Sequence, residues 1–167
     1  MAIWTSRYSN QILQNGKYYA VGISLGKPKF HIDYQIMNQL YELAPGGYTL
    51  RWDYERFKHA YFEKLNNLGR RKVENRLLVE NSIAHDTGKE LVLLCFEDIR
   101  KPEEWCHRTL LAEWCRDYLG ITINELEDPN PPKLKKSQIV QQTADDGYEQ
   151  LSLFGGSPAG GMGYRPY

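Results

Sequence analysis

The sequence predicts an α/β protein, with a small mixed or parallel sheet flanked by helices and a disordered tail at the C-terminus. Three observations support this fold class. The densest apolar run, residues 91–96, is short and unalternating, which is typical of a central strand covered on both faces by helices. In the segments before this run, apolar residues recur at the spacing of an α-helix. After Asp128 the composition changes to proline, glycine and polar residues.

Two short runs near the N-terminus predict strands. Residues 3–6 and 18–25 are rich in side chains that favour β-structure. Gly16 precedes the second run, and a glycine-proline break that begins at Gly26 follows it. Each run therefore has the length and the boundaries of a strand.

Three helices are predicted between these strands and the central strand. The first ends at the break 44–47, and its apolar residues recur at helical spacing: Ile32, Ile36, Met37, Leu40 and Tyr41. Asp53 is a suitable cap for the second, which Gly69 ends and whose apolar face carries Phe57, Tyr61, Leu65 and Leu68. The third covers residues 71–84 and places apolar residues on one side: Val73, Leu77 and Ala84.

The run 91–96 is expected to be the middle strand of the sheet. Pro102 suits the first turn of a following helix that continues to Leu119, and Gly120 suits the end of that helix. Strand, loop and helix together make an α/β unit.

The change of composition divides the chain into an α/β domain, 1–128, and a flexible tail, 129–167. The tail has too little apolar surface to offset the ordering cost of roughly 1–2 kcal/mol per residue for the backbone. We therefore expect it to be disordered in isolation.

Charge is balanced over the whole chain. Lys plus Arg number 21 and Asp plus Glu also number 21, so no net field draws the molecule to nucleic acid or anionic lipid. Arg51-Trp52 and residues 54–58 interleave cations with aromatic rings, as a nucleic-acid surface does. However, helical spacing assigns Phe57 and Tyr61 to the core, so direct nucleic-acid binding has little support.

The sequence predicts a cytoplasmic protein. No apolar run reaches the roughly 18 residues of a membrane span, and the N-terminus lacks an export signal. Cys95, Cys106 and Cys115 are an odd number of cysteines, which fits reduced thiols better than a disulfide framework. No cofactor is expected.

The segment around the predicted central strand carries candidate site residues. Ligands of open α/β sheets bind outside the carboxyl ends of the strands, where Cys95 and Glu97 would lie. The predicted helix begins at the same edge, and its first N–H groups together with Arg108 favour phosphate or carboxylate. We therefore expect an anionic small-molecule ligand.

Cys106 is the candidate nucleophile. A helix N-terminus, His107 and Arg108 all favour its thiolate, and His107 or Glu97 would handle protons. Alternatively, His107 is a structural residue on the apolar face of its helix, and Cys95 is an inert thiol in a buried strand. A zinc site is not expected, because Cys106 and His107 are adjacent and would point apart on a helix.

These residues resemble a known family. Residues 93–97 and the Cys106-His107-Arg108 segment, with residues 5–8 and 23–28, look like a compact branch of the uncharacterised bacterial and phage family called domain of unknown function four hundred and eighty-eight. The resemblance covers most of residues 2–128. It implies an α/β domain that gathers five residues at one end of the sheet: Cys95, Glu97, Cys106, His107 and Arg108.

The same resemblance suggests that the first strand is parallel and central. Thr5, Ser6 and Arg7 would then emerge at the edge that holds Glu97, and Arg7 would face Arg108 across one polar pocket. Two further candidate ligand-binding residues lie beside the Gly26 turn, Ser24 and Lys27, although Ser-x-Gly-x-Pro is also ordinary turn chemistry.

Three hypotheses about function remain open. In the first, the domain binds or processes a phosphate-bearing, nucleotide-like molecule that Arg7, Glu97, His107 and Arg108 recognise. In the second, it is a thiol enzyme in which Cys106 attacks. In the third, it is a non-enzymatic sequestering or inhibitory protein of phage type.

The tail contains one isolated apolar peptide, Gln150-Leu151-Ser152-Leu153-Phe154. This pentapeptide resembles the motif by which many bacterial replication and repair proteins bind the DNA polymerase sliding clamp. The resemblance implies that the glutamine enters a small pocket and that Leu153 and Phe154 fill an apolar cleft. The alternative is that these side chains fold back onto the domain. The predicted partner is the clamp, which would recruit the protein to DNA.

Overall fold

The structure is a computed structural model, and it describes residues 2–134. These residues form an α/β fold around one parallel five-stranded sheet, which confirms the predicted fold class. The spatial order of the strands is β3-β2-β4-β1-β5. In chain order the strands are β1 Ile3–Arg7, β2 Tyr18–Gly22, β3 Ile36–Gln39, β4 Glu90–Cys95 and β5 Ile123–Glu125.

The predicted central strand is confirmed as the middle of the sheet. β4 pairs with β1 on one side and with β2 on the other, in registers that place Leu93 beside both Thr5 and Val21. All five residues from Leu91 to Cys95 are buried, because both faces of this strand are covered. The absence of alternation in the sequence reflects this two-sided burial.

Three α-helices cover one face of the sheet: α1 Tyr54–Leu68, α2 Arg70–Asp86 and α3 His107–Leu119. Leu91 and Leu93 point toward them, whereas Val92 and Leu94 point to the opposite face, because side chains alternate along a strand. That opposite face packs against Leu13 of the 3₁₀ segment Gln11–Asn15 and other non-α segments. Both faces are therefore covered, one by α-helices and the other by a 3₁₀ helix together with loops.

The structure confirms the helix predicted to begin after Asp53. The Asp53 carboxylate accepts a hydrogen bond of 3.0 Å from the Arg56 backbone N–H, and Gly69 at φ 95° separates α1 from α2. The predicted apolar face is buried at Phe57, Tyr61 and Leu65. The third predicted helix is also confirmed, as α2 with Val73, Leu77 and Ala84 buried.

Two predicted helices are wrong in type or in extent. Residues 36–39 form β3, because their backbone groups pair with β2 and this pairing outweighs the helical spacing of their side chains. α3 begins at His107 and not at Pro102, since Cys106 is extended, with φ −146° and ψ 145°, and Glu103 has a positive φ of 63°. Cys106 is consequently the N-cap of the helix rather than a helical residue.

The compact unit that contains the sheet ends at Pro132. Within residues 2–134, no helix has the length and apolarity needed to cross a membrane. Most of the predicted tail, including the peptide 150–154, lies outside the described residues, so its disorder stays a prediction.

Candidate functional site

The carboxyl ends of the parallel strands bring the predicted site residues together. Cys95 is the last residue of β4, Glu97 follows it, and Cys106 and His107 open α3 at the same edge. Cys95, Cys106 and His107 are all buried. Because the strands are parallel, their ends meet at this edge, as is usual for sites in α/β proteins.

Two thiols share one carboxylate oxygen. Glu97 Oε2 lies 3.1 Å from Cys95 Sγ and 2.9 Å from Cys106 Sγ. Each distance permits a hydrogen bond, and the proton can reside on the sulfur or on the oxygen. Glu97 is therefore placed to take a proton from Cys106 or to return one.

The hydrogen bond of His107 to the backbone fixes the tautomer of its ring. His107 Nε2 lies 2.8 Å from the carbonyl oxygen of Ile23, which can only accept, so Nε2 carries the proton. In the neutral ring, Nδ1 then has a free lone pair. Nδ1 lies 3.5 Å from Cys95 Sγ and 3.9 Å from Cys106 Sγ, so the lone pair faces both sulfurs.

The pKa values of the two thiols and of Glu97 are shifted in different directions. Burial raises the pKa of the Cys106 thiol, but the hydrogen bond with Cys95 and the positive charge of Arg108 lower it, and the net shift is well below the ordinary value. The hydrogen bond to Cys106, together with burial, raises the pKa of Cys95. Burial and the Cys106 sulfur raise the pKa of Glu97. The opposite directions of the two shifts make Cys106 the more acidic of the two thiols in contact with Glu97.

The same cluster has donor atoms that a metal ion could use. The ligand atoms of Cys95, Cys106 and His107 lie within 4.8 Å of one another. The expectation that Cys106 and His107 point apart is wrong, because Cys106 is extended and only His107 is helical. The reasoning against zinc from their adjacency therefore does not hold.

Arg108 supports this cluster from inside the protein. Its side chain is 1% exposed, its Nη1 donates to the Glu97 carbonyl oxygen at 2.7 Å, and its Nε and Nη2 donate to the Glu125 carboxylate. Burial lowers the pKa of Arg108, but the Glu125 carboxylate raises it, and the net direction is upward, so the guanidinium stays charged. Because these hydrogen bonds use Nε, Nη1 and Nη2, the guanidinium has few N–H groups left to bind an external phosphate.

Arg7 and Arg108 do line one cavity, of about 220 Å³, as the resemblance suggests. Arg7 is paired with Asp98 at 3.0 Å and with Asp128 at 2.5 Å. The charged groups that line the cavity comprise three arginines and four carboxylates: Arg7, Arg100, Arg108, Asp98, Glu125, Glu127 and Asp128. This balance weighs against an anionic ligand and against the first hypothesis.

The other candidate ligand-binding residues are mostly committed to structure. Thr5 Oγ1 donates to Glu125 at 2.7 Å, and Ser6 Oγ accepts from Asn10 at 2.9 Å. Ser24 is buried and donates to the Gly26 carbonyl oxygen at 2.7 Å. Lys27 is exposed. Of these four, Ser24 lines a space that also borders the thiol cluster.

Two clefts reach the cluster from outside. One, of about 280 Å³, is lined by Leu50, Phe57, Glu97, Glu104, Trp105, Cys106 and His107. The other, of about 120 Å³, borders Cys95 and has apolar walls that include Leu25, Pro45 and Phe96. Leu50, which is 57% exposed, lines both clefts and stands beside His107. A small, partly apolar molecule can therefore approach the sulfurs.

Several residues that shape the site were not predicted from the sequence. Glu125 belongs to β5, a three-residue strand without a recognisable pattern, and Leu50 lies in a loop. Tyr8 could have been found, since it lies two residues after the predicted strand 3–6, at the correct edge. Its hydroxyl lies 2.8 Å from Ser24 Oγ, while Gln39 Nε2 donates to the Ser24 carbonyl oxygen at 2.6 Å.

Gly22 gives a direct test of this packing. A Cβ at Gly22 would overlap the Gln39 side chain and the hydroxyl of the fully buried Tyr8. We expect Gly22→Ala to lower the free energy of unfolding by about 1–3 kcal/mol, as overpacking does, in chemical denaturation. Gly26→Ala is the matched control, because no atom lies within 4 Å of its added Cβ. Equal denaturation midpoints for the two variants would contradict this description of the site.

Comparisons with known proteins give no relative of this chain. No protein-family model, no curated protein and no solved structure matches it. The resemblance described above therefore stays a prediction, and the chemistry of the site rests on the geometry of its own residues.

Proposed function

We propose that the α/β domain is a thiol-dependent enzyme in which Cys106 is the nucleophile. One observation carries this proposal: the Cys106 sulfur, a carboxylate oxygen at 2.9 Å and an imidazole nitrogen with a free lone pair converge beside an open cleft. A nucleophile within hydrogen-bond reach of a proton acceptor, with that acceptor oriented by further groups, is the general arrangement of covalent catalysis.

The residues of the cluster have separate roles in this proposal. Cys106 Sγ attacks an electrophilic atom of a small molecule held in the cleft, and its proton passes to Glu97 Oε2, the nearer acceptor. Glu97 can then return the proton to the leaving group. His107 Nδ1, whose lone pair faces the sulfur, is a second proton acceptor beside Cys106. Apolar side chains such as Leu50 and Trp105 line the cleft together with Glu97 and Glu104, which favours a substrate with both apolar and polar groups.

Thiol labelling tests the proposed role of Cys106. In chelator-treated, reduced full-length protein, iodoacetamide is expected to modify Cys106, which borders a cleft, faster than Cys115, which lies outside the cluster, as read by peptide mass spectrometry. Glu97→Gln is expected to slow labelling of Cys106 roughly 10²-fold, the lower end of what a positioned acid or base contributes.

Glu104→Gln is the control, because Glu104 lines the same cleft without a described contact to either sulfur. It should leave the labelling rate unchanged. If Cys106 reacts no faster than Cys115 in the wild type, the nucleophile is misassigned and the non-enzymatic hypothesis gains support.

We place this chemistry in the cytoplasm. Cys95, Cys106 and Cys115 are free thiols, and a reducing compartment keeps them so. We also propose that the chain is a compact member of the family called domain of unknown function four hundred and eighty-eight. The support is that four residues of the resembling motifs converge in the cluster: Cys95, Glu97, Cys106 and His107.

We further propose that the peptide 150–154 binds the bacterial DNA polymerase sliding clamp. The support is the match of Gln150, Leu151, Ser152, Leu153 and Phe154 to the clamp-binding motif at each position. Binding would bring the thiol enzyme to replicating or repaired DNA without requiring that the domain itself contact nucleic acid.

A further inference from the structure

We propose that Cys95, Cys106 and His107 bind a soft divalent metal ion, of which Zn²⁺ is the best fit, through Sγ, Sγ and Nδ1. The three donor atoms lie within 4.8 Å of one another. Thiolate and imidazole are ligands for zinc and other soft or borderline ions, whereas Mg²⁺ and Ca²⁺ require oxygen ligands. Two cysteines and one histidine form a donor set that catalytic zinc sites also use.

The distances between the donor atoms fit tetrahedral coordination. With bonds of about 2.3 Å to sulfur and about 2.0–2.1 Å to nitrogen, a tetrahedral Zn²⁺ separates each sulfur from the nitrogen by roughly 3.5–3.6 Å. The distance from Cys95 Sγ to His107 Nδ1 is 3.5 Å, and the distance from Cys106 Sγ to the same nitrogen is 3.9 Å. Only a small adjustment of Cys106 is needed.

The surroundings of His107 prepare it to be a metal ligand. Donation from Nε2 to the Ile23 carbonyl oxygen keeps the proton away from Nδ1. Metal-bound histidines usually donate their second ring N–H to a carbonyl or carboxylate in this way, which fixes the tautomer and the ring orientation. The other two ligands are held by the end of β4 and by the N-cap of α3.

Glu97 lies beside the fourth coordination position. Its Oε2 is in contact with both sulfurs, so it can coordinate the ion or accept a proton from bound water. The two cysteines release their protons when the metal binds. The charged Arg108, which donates to the Glu97 carbonyl oxygen, offsets part of the negative charge of the two thiolates.

The metal would regulate the nucleophile. The site itself depends on the three donor atoms, whereas this regulatory consequence rests on the proposed function. A metal bound to Cys106 Sγ occupies the electron pair with which the sulfur attacks, so the metal-bound protein is the unreactive form. Removal of the metal restores a free thiol beside Glu97.

Titration with Co²⁺ of the reduced, chelator-treated full-length chain tests the site. We expect one Co²⁺ per chain, with the intense visible bands of tetrahedral cobalt and a sulfur-to-cobalt charge-transfer band, and displacement by one equivalent of Zn²⁺. Cys95→Ser and Cys106→Ser are each expected to weaken binding by more than about 100-fold, beyond what outer partners of a metal site contribute. Cys115→Ser, which removes a buried thiol outside the cluster, should leave the spectrum unchanged.

Two outcomes would overturn the metal site. One is wild-type protein that takes up no Co²⁺ at micromolar concentration, or takes it up with only a weak octahedral spectrum. The other is a folded Cys95→Ser variant, judged by circular dichroism, that binds Co²⁺ as the wild type does. Since Cys95→Ser is a small change at a buried position, it keeps the test valid if the Cys106→Ser variant does not fold.

Labelling of Cys106 separates this inference from the proposed function. With Zn²⁺ bound, iodoacetamide should no longer modify Cys106, whereas the metal-free protein is labelled. Tight metal binding without labelling of the metal-free protein would support the metal site and contradict the thiol enzyme. Labelling that is fast and unaffected by bound Zn²⁺ would overturn the regulatory consequence.

Discussion

Replacing Arg108 with alanine is expected to lower the free energy of unfolding by about 3 kcal/mol. The Arg108 side chain is 1% exposed and is the cation that pairs with Glu125. Its removal leaves the Glu97 carbonyl oxygen without this donor and leaves the Glu125 carboxylate without its cation. Because the Glu125 side chain is 34% exposed, water compensates part of the loss, and the effect lies at the lower end of values for broken buried pairs.

Arg116→Ala is the matched control for this experiment. Arg116 lies on the same helix, is 64% exposed and pairs with its exposed neighbour Asp117, an arrangement worth about 0–1 kcal/mol at most. Urea denaturation of both variants should separate them clearly. If Arg108→Ala unfolds at the wild-type urea concentration, the buried pair is not a support of the thiol cluster, and Arg108 again becomes available as a ligand-binding residue.

The elements that were predicted correctly are those whose sequence pattern is local. The run 91–96 has only one structural explanation at its length, and α1 carries a cap, a periodic apolar face and a terminating glycine. α2 was predicted from its apolar face alone. In these segments the local preference for a strand or a helix agrees with the tertiary packing. The sequence alone is therefore sufficient to predict their secondary structure.

The elements that were missed are short and depend on pairing. β3 has four residues and β5 has three, so neither has room for a diagnostic alternation. β3 is a strand because it forms backbone hydrogen bonds with β2, and β5 is a strand because it forms them with β1. The local sequence of β3 or β5 does not reveal these pairings. The start of α3 was misplaced because Pro102 fits a first turn equally well, and only the backbone at Glu103 and Cys106 excludes it.

The members of the candidate site were predicted better than their roles. Cys95, Glu97, Cys106 and His107 meet as expected, because the strand and helix that hold them were recognised. The two arginines were assigned to a ligand since their carboxylate partners could not be seen: Arg7 pairs with Asp128 and Arg108 with Glu125, across the fold. Both arginines are therefore bound by carboxylates of the protein itself, and Arg108 also supports the thiol cluster through the Glu97 carbonyl oxygen.

The second large effect is expected for substitutions in the tail peptide 150–154, which is proposed to bind the sliding clamp. Leu153→Ala combined with Phe154→Ala in the full-length chain is expected to abolish binding to the purified sliding clamp. Burial of each side chain contributes about 1.5–3 kcal/mol before ordering costs, so losing both removes roughly 3–6 kcal/mol, or about 10²- to 10⁴-fold in affinity. An interaction in the micromolar range would then become undetectable.

Fluorescence anisotropy measures this effect with a labelled peptide of residues 145–157 and, in competition, with the full-length protein. Ile139→Ala combined with Val140→Ala is the matched control, because it removes similar apolar surface from the same tail outside the motif and should leave affinity unchanged. The double variant at Leu153 and Phe154 should also keep the wild-type unfolding transition and the wild-type labelling of Cys106, which separates docking from catalysis. If neither the wild-type peptide nor the intact protein binds the clamp of the natural host at tens of micromolar, the peptide is not a clamp ligand, and the proposed recruitment of the thiol enzyme to DNA falls with it.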